Sequence, residues 1–446
     1  MSLGENTAGG DVYLGFGAIA VDARTETSFL LRQKTPAKTT ANPTPATTQE
    51  LLGVDPDSGQ VRSVEDLTGR SDLRVLFPTT GVLVMSQSDA AANDRLDLFD
   101  KDSLKLLKSF DAPGRYYGTR SSPSRNYVAV ADNAKQGAPI HVIDMATLEP
   151  KIVPHNGDWL EAMWLNGSDE LVAIVFYNTW FGKDKTGSPH ARILSWKMAA
   201  IRSSGFALDA QGMWPAPRLN IDVPNVAPEL LFSFTWVGIS PDDHYAVFPV
   251  MQLPNDATSG SSGPPELLVV DVTDGSLRKV ANAEGPVGFT PDSQTIVSYT
   301  STELKLIDVK TLQVSAKTVP IASGLLSYFV SHEGNFIVVG SSLGDERLVL
   351  YDVDHDTTTQ MAGPGIHLTE FVSRPGHNEL WLVDHAALYR LGFATGVFDL
   401  IPTTFSPAHI NILPKRDRLV FNGYPANELF FFDPVKQVQT TTVNLD

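Results

Sequence analysis

Apolar and polar positions alternate in a repeating order along this chain. At 288–299 the sequence "GFTPDSQTIVSY" places a Pro-Asp-Ser turn between two apolar runs, and "GISPDDHYAVFP" at 238–249 has nearly the same form. Related turns recur, and successive turns begin 44, 44, 74, 50, 41, 42 and 41 residues apart. They lie at 78–81, 122–125, 166–169, 240–243, 290–293, 331–334, 373–376 and 414–417. A period in the low forties is typical of four-stranded propeller blades.

A second pattern follows each turn by about twenty residues. An apolar run ends in Asp and is followed by a tight turn and a further strand, as in "LLVVDVTDGSLRKV" from 267 and "LKLIDVKTLQVSAK" from 304. Branched and aromatic side chains favour strands, and Asp favours turns because it can bond its own backbone two residues on. Each unit is therefore predicted to contain four antiparallel strands, which we call first to fourth.

The chain is predicted to be all-β, a β-propeller of four-stranded antiparallel blades, with eight blades favoured and seven as the alternative. The eight units are 70–110, 115–154, 159–214, 230–281, 285–319, 325–362, 367–401 and 406–445. Residues 1–69 are predicted to form an N-terminal tether with strands at 13–22 and 51–64 and a Thr/Pro-rich loop at 34–50. Residues 70–446 form the propeller domain in this interpretation.

These turns and Asp-ended runs resemble the bacterial YVTN-type and WD-repeat-like β-propeller family over about residues 70–445. The Gly-His and Trp-Asp pairs of typical WD repeats are absent, so no WD-type residue roles are carried over. The resemblance implies a fold and leaves the function open, because propellers include scaffolds, sensors and enzymes.

Charge and composition narrow the class of partner. The formal net charge is −17, which disfavours nucleic acid and anionic membrane surfaces. There is no cysteine, so disulfides and thiolate chemistry are excluded. The sequence contains no run of eighteen apolar residues, so no transmembrane helix is predicted.

The first residues, "MSLGENTAGGDV", resemble the tether that follows the lipidated cysteine of a bacterial lipoprotein. From this we expect a location in the periplasm or on the outer surface of a bacterium, with a lipid anchor upstream of this sequence. A cytoplasmic scaffold is the alternative. The protein is also expected to be a monomer.

Three long insertions depart from the repeat, at 177–191, 252–266 and 214–229. The first two interrupt units three and four between the second and third strands, and the last is interpreted as the connection from unit three to unit four. These connections emerge on one face, so they predict a loop-rich rim that binds a protein or glycan partner. The partner-binding candidates are Trp180, Phe181, Lys183, His190 and Trp214.

A competing hypothesis places the functional site at the mouth of the central channel of the predicted propeller. First strands line the channel of a propeller, and His367, His409 and Glu161 lie in or before such strands. They are candidate ligands for one divalent cation in a metal-dependent lactonase or esterase, as the resemblance to lactonase-type propellers implies. No G-x-S-x-G, H-E-x-x-H or P-loop motif is present, so a non-catalytic binding protein without a cofactor is favoured.

Overall fold

A computed structural model provides the structure of the protein. The residues it describes are 12–13, 19–22, 24–34, 48–68, 70–88, 95–111, 118–131, 139–155, 157, 159–177, 190–199, 217–224, 226–228, 237–252, 265–283, 287–299, 303–318, 326–331, 334–341, 348–361, 370–384, 386–424 and 428–445.

The described strands form nine antiparallel sheets, which we number as blades 1 to 9 in chain order. Each contains four strands that follow one another along the chain, and blades 2 and 5 each contain one further short strand. This is the architecture of a β-propeller, in which four-stranded sheets serve as blades. The sequence prediction of four-stranded antiparallel blades is therefore confirmed. The predicted number of blades, eight or seven, is wrong, because the structure has nine.

The chain divides into two compact units. Unit 1 consists of residues 1–7, 11–113 and 321–446, and it contains blades 1, 2, 7, 8 and 9. Its strands are β1 Val12–Tyr13, β2 Ile19–Val21, β3 Ser28–Lys34, β4 Thr48–Val54, β5 Val61–Asp66, β6 Arg70–Leu76, β7 Val82–Ser88, β8 Arg95–Phe99, β9 Leu106–Asp111, β27 Leu326–Val330, β28 Phe336–Ser341, β29 Val349–Asp352, β30 Thr357–Gln360, β31 Glu370–Ser373, β32 Glu379–Asp384, β33 Ala387–Gly392, β34 Val397–Ile401, β35 Ser406–Leu413, β36 Arg418–Tyr424, β37 Glu428–Asp433 and β38 Val438–Asn444.

Unit 2 consists of residues 8–10 and 114–320 and contains blades 3 to 6. Its strands are β10 Gly118–Ser121, β11 Tyr127–Ala131, β12 Ile140–Asp144, β13 Glu149–Val153, β14 Trp159–Leu165, β15 Glu170–Tyr177, β16 His190–Lys197, β17 Leu219–Pro224, β18 Val226–Pro228, β19 Gly238–Ile239, β20 Tyr245–Gln252, β21 Pro265–Asp271, β22 Leu277–Ala281, β23 Val287–Phe289, β24 Thr295–Tyr299, β25 Glu303–Asp308 and β26 Val314–Thr318.

The additional blade comes from the N-terminal part of the chain. Strands β2 to β5, residues 19–66, form a complete four-stranded sheet, which is blade 1. Its first turn, "DARTET" at 22–27, contains neither the Pro nor the Gly that marks the turns of the other blades, so the repeat pattern does not include it. The predicted domain boundary at residue 69/70 falls in the connection between blades 1 and 2 and stays a prediction.

A further short strand extends blade 2. Strand β1 pairs antiparallel with β6, with Val12 opposite Val75 and Tyr13 opposite Arg74. Blade 2 is accordingly five-stranded, in the order β1-β6-β7-β8-β9.

Blade 4 differs from the sequence interpretation in its fourth strand. Residues 219–224 form β17, which pairs with β16, and β18 begins at Val226 as part of the first strand of blade 5. The segment 214–229 was predicted to be a connection from fourth to first strand. This prediction is wrong, because the segment contains β17 and β18 themselves. The other two insertions do fall between second and third strands, after β15 and after β20.

The core lies between successive blades within each unit. In unit 2 one apolar cluster joins blades 3 and 4, a second joins blades 4 and 5, and a third joins blades 5 and 6. In unit 1 corresponding clusters join blades 7 and 8, 8 and 9, 9 and 1, and 1 and 2. Burying a Val, Leu or Phe side chain contributes roughly 1.5–3 kcal/mol, so these shared clusters stabilise neighbouring blades against each other.

The recurring turns have a common hydrogen-bond pattern. The Ser240 hydroxyl donates to Asp242 at 2.6 Å and accepts the Tyr245 N–H at 2.8 Å, and Thr290 does the same with Asp292 and Thr295. The Asp that ends a third strand accepts backbone N–H groups two or three residues on, as Asp308 does at 3.0 and 2.6 Å. The bond from the Thr311 N–H is the main cause that lowers the pKa of Asp308.

Side chains at the first turns also join neighbouring blades. In unit 2 the Ser124 hydroxyl donates to Asp169 at 2.7 Å and the Gly167 N–H donates to Asp243 at 2.6 Å. The Asp242 N–H donates to the Ser293 hydroxyl at 3.1 Å. These bonds connect blades 3 and 4, 4 and 5, and 5 and 6.

The junctions of blades 8, 9 and 1 use buried charges. Arg374 is 4% exposed and binds Asp417 of the next blade through Nε, at 2.5 Å, and through Nη2, and it binds Glu379 through Nη1. At the junction of blades 9 and 1, the fully buried carboxylate of Glu26 accepts the Lys415 N–H and the Arg416 guanidinium. Arg416 also binds Asp57 at 2.9 Å through Nε and Nη2.

Candidate functional site

Of the five predicted partner-binding residues, the structure describes His190, which directly follows the connection after β15 in blade 4. Because strands alternate in direction, the connection between the second and third strands emerges at the end opposite the first turn. We call this the connection end of a blade, and the other the turn end. His190 is the first residue of β16 and stands at the connection end of blade 4.

Trp180, Phe181, Lys183 and Trp214 lie outside the described residues. Along the chain, Trp214 falls between β16 and β17, which are the third and fourth strands of blade 4. The sequence analysis placed it in a connection after the fourth strand, and that assignment of the chain segment is wrong.

His190 belongs to an aromatic and cationic group. It lies opposite Tyr177, the last residue of β15, and the two rings stack with centroids 4.9 Å apart and an interplanar angle of 6°. The guanidinium carbon of Arg192, two residues further along β16, lies 5.0 Å from the Tyr177 ring centroid. A guanidinium over a tyrosine ring is attracted by the ring quadrupole, which fixes the Arg192 side chain in place.

An acidic side chain and a buried backbone carbonyl complete the group. Asp222 stands opposite Arg192 in the sheet, and its Oδ1 is 3.4 Å from Arg192 Nε and 3.6 Å from His190 Nε2. The Tyr177 hydroxyl donates to the His155 carbonyl at 2.5 Å. We call Tyr177, His190, Arg192 and Asp222 the blade 4 cluster.

The blade 4 cluster is accessible and its hydrogen-bonding capacity is only partly used. The Arg192 side chain is 40% exposed and that of Asp222 is 55% exposed. Both Nη nitrogens of Arg192 make no hydrogen bond within the described part of the chain. The cluster thus presents a positioned guanidinium fork beside a carboxylate, an arrangement that can recognise polar groups of a partner.

His155, in contrast, has a structural role. It is 5% exposed, and its Nδ1 accepts the Gly157 N–H at 3.1 Å. These bonds fix the chain just before β14 and the position of the Tyr177 ring.

The structure describes the predicted metal ligands only in part. His409, in β35, has its Nδ1 3.1 Å from Glu370 Oε1, the first residue of β31, and both side chains are 28% exposed. His367 and the side chain of Glu161 lie outside the described residues. Among the described residues, no three His, Asp or Glu side chains form a group suited to a metal ion.

Sequence reasoning found His190 and missed Tyr177, Arg192 and Asp222. Tyr177 was the first letter of the insertion 177–191 and was not named as a site residue. Arg192 and Asp222 come together only through the pairing of β16 with β17, and β17 was interpreted as a connection. The sequence signal for this group was an aromatic residue near each end of the insertion, Tyr177 and His190.

Comparisons with known proteins add the following findings. No protein-family model matches the chain, and no curated protein matches it. Solved structures with similar folds include apo AztD from Citrobacter koseri, with 12% identity, a TM-score of 0.43, and coverage of 94% of this chain and 96% of that one.

Two further similar structures are both catalytic proteins by name. Oligogalacturonate lyase in complex with manganese has 12% identity, a TM-score of 0.41, and coverage of 92% of this chain and 95% of that one. Dihydro-heme d1 dehydrogenase NirN in complex with DHE has 12% identity, a TM-score of 0.46, and coverage of 79% and 71%. Likenesses this distant do not indicate a function.

Proposed function

We propose that the protein is a non-catalytic binding propeller of the YVTN-like type that holds a protein or glycan partner at the connection end of blades 4 and 5. The observation that carries this proposal is the blade 4 cluster, with an exposed arginine whose Nη donors are unused within the described residues. Two long chain segments, after β15 and after β20, leave the same end of these neighbouring blades. Long connections on a rigid scaffold commonly carry binding residues.

The chemistry of the cluster fits a partner with both donors and acceptors. Arg192 can bind a carboxylate or a carbonyl pair through its fork, and Asp222 can accept hydroxyl or N–H donors. Tyr177 and His190 hold Arg192 in place, so little conformational entropy is lost when a partner binds.

A binding experiment tests this proposal. The protein is immobilised as the wild type, as Arg192→Gln and as a variant with residues 178–189 replaced by a short Gly-Ser linker. Each is exposed to an extract of the native host's proteins and, separately, to a glycan array. We expect the wild type to retain a specific protein or glycan and both variants to lose it.

Arg390→Gln is the matched control. Arg390 also lies on a third strand, and its Nη2 is 2.7 Å from Asp399 on the fourth strand of blade 8. The control removes the same charge from the third strand of another blade, where the arginine also pairs with an Asp of the fourth strand. Retention of the partner by Arg192→Gln, or equal loss in Arg390→Gln, would contradict the assignment to blade 4.

A metal-dependent hydrolase is the second candidate function, and the Glu370–His409 contact favours it. His367, His409 and Glu161 would hold the divalent cation, which would polarise an ester or lactone carbonyl. Elemental analysis of the purified protein and thermal unfolding with calcium, magnesium or zinc test this candidate. A protein without bound metal, and without a gain in thermal stability on metal addition, would reject it.

The location in the cell envelope and the monomeric state remain predictions. The structure contains no described helix with the length and apolar character needed to cross a membrane. Fractionation of native cells distinguishes the envelope from the cytoplasmic alternative, and sedimentation of the purified protein gives its oligomeric state.

A further inference from the structure

Blade 2 contains a second polar cluster that no sequence motif indicated. Asp97, in the middle of β8, is fully buried and accepts hydrogen bonds from three side chains. Arg70 Nη1 donates to Oδ2 at 2.5 Å, Arg95 Nε donates to Oδ1 at 2.8 Å, and the Ser109 hydroxyl donates to Oδ1 at 2.6 Å.

The strand register brings these residues together at the connection end of blade 2. Asp97 is directly opposite Ser109 of β9, so their side chains share one face of the sheet. Arg70 is the first residue of β6 and Arg95 the first residue of β8, and both strands begin at the connection end. The regular strands therefore position both guanidinium groups, and no loop residue is needed.

Asp97 pairs with both guanidinium groups of the cluster. Two carboxyls at the end of the fourth strand of blade 1 also interact with Arg70. Burial raises the pKa of the Glu65 carboxyl, and the hydrogen bonds from Thr68 lower the pKa of the Asp66 carboxyl.

Several arginine donors of the cluster have no partner in the part of the chain that the structure describes. There the Arg70 side chain makes one hydrogen bond, through Nη1, and the Arg95 side chain makes two, through Nε and through Nη2 to Ser109 at 3.0 Å. The remaining N–H groups have no acceptor within the described residues. The Arg95 side chain is 43% exposed and that of Arg70 is 19% exposed, so a small ligand can approach both.

If the cluster had only a structural role, one arginine would be enough to neutralise the buried Asp97. Arg374 shows how this fold completes a structural arginine, because it is 4% exposed and its Nε, Nη1 and Nη2 are all bonded to carboxylates. The second arginine of this cluster, Arg95, has a 43% exposed side chain and donors that are unused among the described residues, and packing does not explain it.

We propose that Arg70 and Arg95 form an oxyanion-binding site for the carboxylate or phosphate group of a small ligand. Paired guanidinium groups provide the planar forks that match these anions. Asp97 and Ser109 hold the two side chains in place before the ligand arrives and do not bind it. The site is independent of the blade 4 cluster, because it lies on another blade and uses other residues.

Isothermal titration calorimetry tests the proposal on the full-length protein in a low-salt buffer free of oxyanions. Wild type, Arg95→Gln, Arg70→Gln and the control Arg390→Gln are titrated with inorganic phosphate and, separately, with acetate and citrate. We expect saturable binding of phosphate or of a carboxylate to the wild type. Loss of charged hydrogen bonds should weaken it about tenfold or more in Arg95→Gln and Arg70→Gln.

Each variant removes one positive charge, so Arg390→Gln reports the general effect of net charge. Binding of phosphate alone would identify a phosphate ligand, and binding of a carboxylate alone a carboxylate ligand; either supports the site. No saturable binding by wild type would overturn the proposal. Binding that is unchanged in Arg95→Gln, or weakened equally in the control, would overturn it as well. Because the Arg95 side chain is 43% exposed and Asp97 keeps its bonds from Arg70 and Ser109, the Arg95→Gln variant should fold normally, which circular dichroism checks.

Discussion

The two ends of the blades use the same kinds of side chain in different ways. At the turn end, Arg374 and Arg416 are each shared between two carboxylates, and the Glu26 carboxylate is fully buried. At the connection end, Arg192 and Arg95 are 40% and 43% exposed and keep unused donors among the described residues. Saturated arginines join neighbouring blades, and unsaturated arginines stand where a ligand can reach them.

The physical reason is the cost of removing a charge from water. A buried carboxylate such as Glu26 is tolerated only when its partners satisfy it, so removing one partner is expensive. An exposed arginine stays hydrated, so leaving donors unused costs little until a ligand takes the place of water. Stability and binding should therefore respond to mutations at different ends of the blades.

The largest effect on stability is expected at the junction of blades 9 and 1. Arg416→Ala leaves Glu26 buried with only the Lys415 N–H, and it also removes the partner of Asp57. We expect a loss of about 3 kcal/mol in the free energy of unfolding. Urea unfolding followed by circular dichroism measures it.

Arg62→Ala is the control for that prediction. Arg62 is 44% exposed and pairs with Asp55 at 3.4 Å, and exposed pairs contribute less than about 1 kcal/mol. Equal losses in Arg62→Ala and Arg416→Ala would contradict the expectation that a buried ion pair contributes more to stability than an exposed one.

A smaller effect is expected where neutral groups join two blades. Ser293 is 1% exposed and its hydroxyl accepts the Asp242 N–H of blade 5. Ser293→Ala removes this acceptor and should cost about 1 kcal/mol in unfolding free energy. A loss as large as that of Arg416→Ala would mean that charge is not what distinguishes the junctions.

The junction of blades 8 and 9 should give a dependence on pH. The hydrogen bond from Arg374 is the main cause that lowers the pKa of Asp417. Because the pKa is lower in the folded state than the value of about 3.9 in an unfolded chain, the pair stabilises above that pH. This contribution is lost as the pH falls through the folded pKa.

The difference in unfolding free energy between wild type and Asp417→Asn should therefore be constant near neutral pH and shrink below about pH 4. Asp417 is 42% exposed, so solvent screens the pair and the effect stays below that of Arg416→Ala. Urea unfolding at a series of pH values measures it. A difference that grows as the pH falls would contradict the sign.

The sequence correctly predicted those turns and strand ends that depend on residues close together along the chain. The Ser/Thr-Pro-Asp turns at 240–243 and 290–293 and the Asp at the end of a third strand depend on neighbouring residues, and the structure has them as expected. Blade 1 was missed because its first turn at 22–27 contains neither Pro nor Gly, and each of the recognised turns contains at least one of them. Strand β17 was missed because it is flanked by prolines at 215, 217 and 224, which favour a connection.

The candidate sites depend on contacts that are remote along the chain. Arg192 and Asp222 are 30 residues apart, and Arg70 and Asp97 are 27 apart. The two residues of each pair come together only through the register of the paired strands. The repeat spacing of the sequence predicts the strands but does not give that register.

Stability and partner binding of Arg192→Gln, measured on the same sample, test the account most directly. Arg192 is 40% exposed, and exposed contacts such as those with Tyr177 and Asp222 contribute little, so its loss should change the unfolding free energy by no more than about 1 kcal/mol. We predict that this variant unfolds like the wild type and no longer retains the protein or glycan partner that the wild type captures. Full retention of that partner, or its loss only together with a loss of stability, would contradict the claim that the connection end of blade 4 is a binding site.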